Sequence, residues 1–139
     1  VAIERYRSRL SGPLLDRIDL VVRVPALRFV EIHGGPPEEP SAAVAERVRA
    51  SRLRQADRFR TPLQCNARMD DEHLKRHVAL GDASARLLEQ AVEKLGLSAR
   101  AVSRVRKVAR TIADLAGVGE VEVGHLAEAL AYRPGSLPS

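Results

Sequence analysis

Aromatic residues are nearly missing from this chain. Two Phe, two Tyr and no Trp serve 139 residues, so ring packing cannot carry the core. Ala, Leu and Val must do so, which suits closely approaching helices. A single cysteine, Cys65, excludes an internal disulfide and any Cys-based zinc site, and it fits a reducing cytoplasm. No apolar run approaches the length of a membrane span, and no secretory signal is visible. Lysine is scarce beside arginine, 3 against 20, and the net charge is +5. That balance permits an anionic partner such as nucleotide or nucleic acid without demanding one. The chain also lacks G-x-x-x-x-G-K-[ST], so it carries no phosphate-cradling loop of that kind. It opens at Val1 in what reads as mid-helix, as if cut from something longer.

What is present is most informative at 11–20, SGPLLDRIDL. Gly12-Pro13 breaks the charged helix end ERYRSRL. A short turn then delivers Arg17, between Asp16 and Asp19, to the mouth of a strand expected over 18–24 and ended by Pro25. The apolar run of that strand suits burial on both faces, in a sheet whose other strands lie elsewhere. An arginine held in this way can be offered to a neighbouring subunit, where phosphoryl-transfer enzymes use such a charge on a γ-phosphate. The same arginine also fits a surface ion pair with Asp16 or Asp19.

HGGPPEEP at 33–40 reads as a linker. Residues 1–33 are then one segment, 34–40 the connection, 41–133 a helical domain and 134–139 a frayed tail. Ser41 is expected to cap a helix over 42–59, with Val44, Val48, Ala56 and Phe59 on its inner side. Asp70 caps a short helix to about 77, and Asp82 one over 83–95 carrying Leu87, Leu88, Ala91, Val92 and Leu95 inward. Gly96 stops it. Ser98 caps a longer helix over 99–116, with Val102, Val105, Val108, Ala109, Ile112 and Ala116 inward, ended by Gly117. An extended piece at 121–123 precedes a last helix over 124–132 that buries Leu126, Ala127 and Leu130. The expected fold is mainly α: a helical bundle behind a linker and a one-stranded segment.

SARAVSRVRKVAR at 98–110 holds five cations and no acid. Arg100, Arg104 and Lys107 share one face, and Arg100 stands in the first turn, where free N–H groups and the helix dipole favour an anion. A solvated basic face explains the same pattern. Residues 91–105 also fit a loose helix-turn-helix, the signature of a stand-alone DNA-binding module, although the second helix is longer than recognition helices usually are. His73 and His77 stand at i, i+4 without an H-E-x-x-H motif, and no metal site is expected.

Together, YRSRLSGPLLDRIDLVVRVP at 6–25, LLEQAVEKLGLSARAVSRVRKVARTIADLAG at 87–117 and HLAEALAYR at 125–133 resemble the carboxy-terminal part of the YifB/ComM family. These are bacterial AAA+ ATPases related to the magnesium-chelatase ATPase subunit. The resemblance covers about 5–133. It implies that Walker A, Walker B, the first sensor and a Lon-protease-like domain lie upstream, and that the intact protein uses ATP and Mg. Arg17 corresponds to the arginine finger acting in trans. Arg100 corresponds to the sensor-2 arginine of a lid, with Arg104 as the alternative one turn on. Residues 42–59 resemble the long helix that displaces the lid in this clade, so that sensor 2 acts on a neighbour's site. The family implies a homo-oligomeric ring, commonly a hexamer, remodelling DNA or, in the chelatase relatives, inserting magnesium into a porphyrin. On this reading the chain alone is not an enzyme and binds no cofactor tightly. Arg110→Ala, further along the same helix, is expected to do little to turnover of the intact ATPase.

Overall fold

In a computed structural model of the chain, the described residues are 17–22, 24–26 and 38–133. The expectations for ERYRSRL, Asp16, most of the linker and the tail at 134–139 fall outside them. The bundle consists of α1 (Ser41–Phe59), a single 3₁₀ turn (Asn66–Arg68), α2 (Asp71–His77), α3 (Asp82–Leu95), α4 (Ala99–Ala116) and α5 (Val123–Ala131).

The helix signals work chiefly through their ends. The Asp70 carboxylate accepts from His73 N at 2.9 Å, and Ser98 Oγ accepts from Ala101 N at 3.2 Å, so both act as caps. Gly96 and Gly117 close α3 and α4 with φ of 61° and 78°. α5 opens on a reciprocal box in which Glu122 N donates to His125 Nδ1 at 3.0 Å. Two starts differ by one residue. Pro40 and Gly81 are the capping residues of α1 and α3, so Ser41 and Asp82 are the first helical residues rather than caps.

α4 is the central element, packed against α5, α1, α2 and the 3₁₀ turn, while α3 lies against α5. Its inner face is built of small residues. Ala109 and Ala113 are fully buried, and Ala129 of α5 nearly so, which lets the two helix axes approach closely. Around this seam Met69, Leu74, Val78, Leu88, Val105, Val121 and Leu126 form one core. An isolated parallel bridge between Leu80 and Val121 ties the loop before α3 to the loop before α5.

Three expectations are corrected. First, no strand forms among the described residues of 18–24. A strand needs a partner for its backbone groups, and Val21 N instead donates to Tyr132 O at 2.8 Å. Leu20, Val22 and Val24 are left exposed. Second, the inner face of α1 is polar. Ser51 and Gln55 are buried, whereas Val44 and Val48 stand exposed. Third, Leu95, Ala116 and Ala127 face solvent; Leu95 and Ala116 are the last residues of α3 and α4, and Ala127 lies on the side of α5 away from buried Leu126 and Ala129.

Candidate functional site

One residue of α1, Arg58, meets a buried carboxylate. Asp114 of α4 is fully buried. Arg58 of α1 grips it with both guanidinium nitrogens, through Nη1 to Oδ2 at 2.8 Å and Nη2 to Oδ1. Asn66 Nδ2 donates to the same Oδ2 at 2.8 Å and lies 3.1 Å from Thr111 Oγ1. Arg110 Nε donates to Oδ1 at 3.1 Å, while Arg110 Nη1 and Nη2 satisfy the carbonyls of Gly119 and Val118 beyond the helix end. Arg110 is therefore a pillar of the fold. Burial lowers its pKa and the field of Arg58 acts the same way, while Asp114 opposes both. An arginine stays charged through such a shift. Sequence reasoning missed this network, yet one signal was available: Asp114 is the sole acid of α4, one turn after Arg110.

The candidate anion site lies at the opposite end of α4. Arg100 occupies the first turn behind the Ser98 cap and is exposed. Arg104, one turn on, is largely covered. Its Nη1 donates to Ile18 O at 2.9 Å, and its Nε lies 3.9 Å from Asp19. Lys107 Nζ donates to Ala67 O at 3.2 Å. Arg106 points the other way and caps the end of α2, donating to Leu74 O at 2.9 Å and Val78 O at 2.7 Å. Burial lowers the Arg106 pKa, opposed by Asp71.

Arg17, Arg100, Arg104 and Lys107 line one open cleft of about 530 Å³, together with Asp19 and Asp71. Four cations thus face two carboxylates, an arrangement able to draw a polyanion to its mouth. Of the basic residues of α4, Arg104, Arg106 and Lys107 are committed to carbonyls of this chain, and α4 is packed on several sides. That leaves little of α4 to enter a DNA groove.

Next to the cleft an apolar groove of about 460 Å³ runs between α1 and α4, lined by Val48, Val108, Ile112 and Leu115. His73 Nδ1 lies 2.7 Å from Asp70, and both His73 and His77 meet the edge of Phe59 at 5.6 Å. Among the described residues no group of three or more His, Cys, Asp or Glu is placed to hold a metal ion, and no helix is long and apolar enough to cross a membrane.

The sequence matches a known class. Residues 38–133 match the family described as "Magnesium chelatase, subunit ChlI C-terminal", and residues 1–32 match "Magnesium chelatase, subunit ChlI". The chain belongs to the magnesium-chelatase-like proteins, as a piece of the YifB/ComM family. It is 46% identical over 132 residues to the Competence protein ComM of Haemophilus influenzae, covering 94% of this chain and 25% of that one. It is 40% identical over 131 residues to the uncharacterized protein YifB of Salmonella typhimurium, covering 93% and 25%. An uncharacterized protein of Mycobacterium bovis is 36% identical over 130 residues, covering 93% and 26%. The chain thus spans about a quarter of the length of the curated relatives it matches.

Proposed function

We propose that this chain is the lid end of a ring-forming AAA+ ATPase, and that Arg17 and Arg100 act on ATP bound to a neighbouring subunit. The observation that carries this reading is their placement. Two arginines far apart in sequence, each assigned a phosphate-directed role by family resemblance, line the same positively biased cleft. A finger and a sensor that serve one γ-phosphate must face the same way, and a shared cleft permits it. The phosphate cradle and the Mg²⁺ that accompanies ATP belong to upstream segments. What this chain contributes is charge. Arg17 stabilises the transferring phosphoryl group, for which such a finger supplies about 10³–10⁵ in rate. Arg100, at the head of α4, senses the γ-phosphate and passes nucleotide state to the bundle. The ring is a homo-oligomer with heterologous contacts, commonly six subunits, because only such contacts place one subunit's arginine at the next subunit's site. The material remodelled is DNA, a reading supported by the positive net charge and by a relative named as a competence protein. The ring works in the cytoplasm.

The test is a mixing assay in the complete ATPase. Arg17→Ala should abolish most turnover while sparing nucleotide binding and assembly, because the finger acts in the transition state. Mixing Arg17→Ala subunits with subunits lacking the Walker-A lysine should restore activity, since some interfaces then pair an intact cradle with an intact Arg17. Mixed rings that assemble yet stay inactive would leave Arg17 as an ion-pair partner of its acidic neighbours.

A further inference from the structure

Among the described residues of the cleft, Arg104 bonds the segment carrying Arg17. Its Nη1 takes the carbonyl of Ile18, the residue next to Arg17, and its Nε faces Asp19 at 3.9 Å. The same segment is held a second time, where Val21 N donates to Tyr132 O at the end of α5. Residues 17–22 therefore depend on the bundle for their position, through one side chain of α4 and one carbonyl after α5. Arg104 also stands about one helical turn from Arg100, about 6 Å along a stiff axis. A tilt of α4 that moves Arg100 must move Arg104 and the Ile18 carbonyl with it.

We infer that Arg104 is a positioning residue that mechanically joins the arginine at 17 to the head of α4, so that the sensor and the finger move as one unit. This rests on the proposed roles of Arg17 and Arg100. Arg104 itself touches no phosphate. Its guanidinium is spent on the finger's own backbone, where only a planar fork can address the carbonyl and the carboxylate side by side. α4 thus serves as the lever between the two arginines.

Arg104→Ala and Arg104→Lys in the complete ATPase test this, beside Arg17→Ala and the double variant Arg17→Ala/Arg104→Ala. Arg104→Ala should lower kcat by about tenfold or more and shift KM for Mg-ATP by less than about twofold. Arg104→Lys should recover part of the loss. In the Arg17→Ala background, Arg104→Ala should change the residual single-turnover rate little, because a finger already removed cannot be mispositioned. Hydrogen exchange on this chain supplies a readout independent of ATP. The Val21 amide, bonded to Tyr132 O, should exchange faster in Arg104→Ala, while those of α4 keep their protection. A raised KM with unchanged kcat would make Arg104 a nucleotide ligand and overturn the inference, as would losses that multiply in the double variant. If Arg17→Ala turns over like wild type, the finger reading itself fails. Exchange then decides the tether, and unchanged protection at Val21 overturns it.

Discussion

Arg58 and Asp114, on different helices, form the ion pair that locks α1 to α4. The carboxylate is fully buried, and Arg110 completes its shell from the same helix. Two cations and one anion are thereby withdrawn from water with nearly every donor placed. Removing the anion should be far worse than never having built the network. Asp114→Ala should cost about 3–5 kcal/mol, read as a fall in urea midpoint and in Tm. Asp114→Asn keeps the acceptor oxygen but loses the charge, and should fall between. Arg110→Lys should not restore Arg110→Ala fully, because one ammonium cannot reach Asp114, Val118 and Gly119 together. A neutral outcome for Asp114→Ala would refute the central role given to this network.

His77 should make stability depend on pH. Burial pushes its imidazole below the ordinary value of 6.5, and the charges of Arg58, Arg76, His73 and Arg110 push the same way. The folded chain then holds this proton less tightly than the unfolded chain. Stability therefore falls as pH drops through 6.5 and levels off below the folded pKa. Asp70, held as a carboxylate by the backbone N–H and side chain of His73, gives a contribution that is present above its ordinary value of 3.8 and is lost only as pH falls below it. Denaturant midpoints between about pH 7.5 and 5 should slope in the wild type and flatten in His77→Gln. An undiminished slope in the variant would place the titration elsewhere.

The glycines separate by conformation. Gly117 closes α4 at φ 78°, and a Cβ there would lie 3.1 Å from an Arg54 guanidinium nitrogen. Arg54 also donates to Asp114 O at 3.2 Å, so its displacement disturbs the same helix end. Gly117→Ala should cost about 1–2 kcal/mol or more. Gly81, at φ −67° with open space around its Cβ position, should accept alanine at a smaller cost than Gly117, limited to what alanine forfeits as a helix N-cap. Thermal melts of the two variants side by side provide the comparison.

The isolated chain should bind Mg-ATP no more tightly than about millimolar, since arginines without a P-loop nest and its lysine cannot hold a triphosphate. Titration calorimetry measures this directly. Micromolar affinity would reveal a complete nucleotide site within these residues.

Residues 38–133 should fold without the segment before them. Their core is contiguous, and the described contacts with 17–22 are peripheral. A chain beginning at Glu38 should melt cooperatively, with dispersed amide resonances. Loss of cooperativity would show that the earlier residues belong to the same folding unit.

Helix identity and order were legible in the sequence because they are set locally. Ser98 and Asp70 reach N–H groups within their own first turns, and Gly96 and Gly117 supply the left-handed residue that ends a helix. The resemblance to magnesium-chelatase-like proteins was legible too, because it is carried by contiguous runs such as 6–25 and 87–117. The tertiary structure decided everything that depends on a partner distant in the chain. Residues 18–24 have the composition of a strand, but composition supplies no neighbour to accept its backbone bonds, and Val21 found Tyr132 instead. Periodicity assigned Val44 and Val48 to the inner side of α1, yet that side is held by polar bonds to distant residues: Gln55 accepts from Asn66 N and Arg58 reaches Asp114, while the two valines stay exposed. Arg104 and Arg110 differ little as letters in a basic helix. One reaches the Ile18 carbonyl and the other is sealed against Asp114, because hydrogen bonding and burial depend on three-dimensional neighbours that local spacing does not encode.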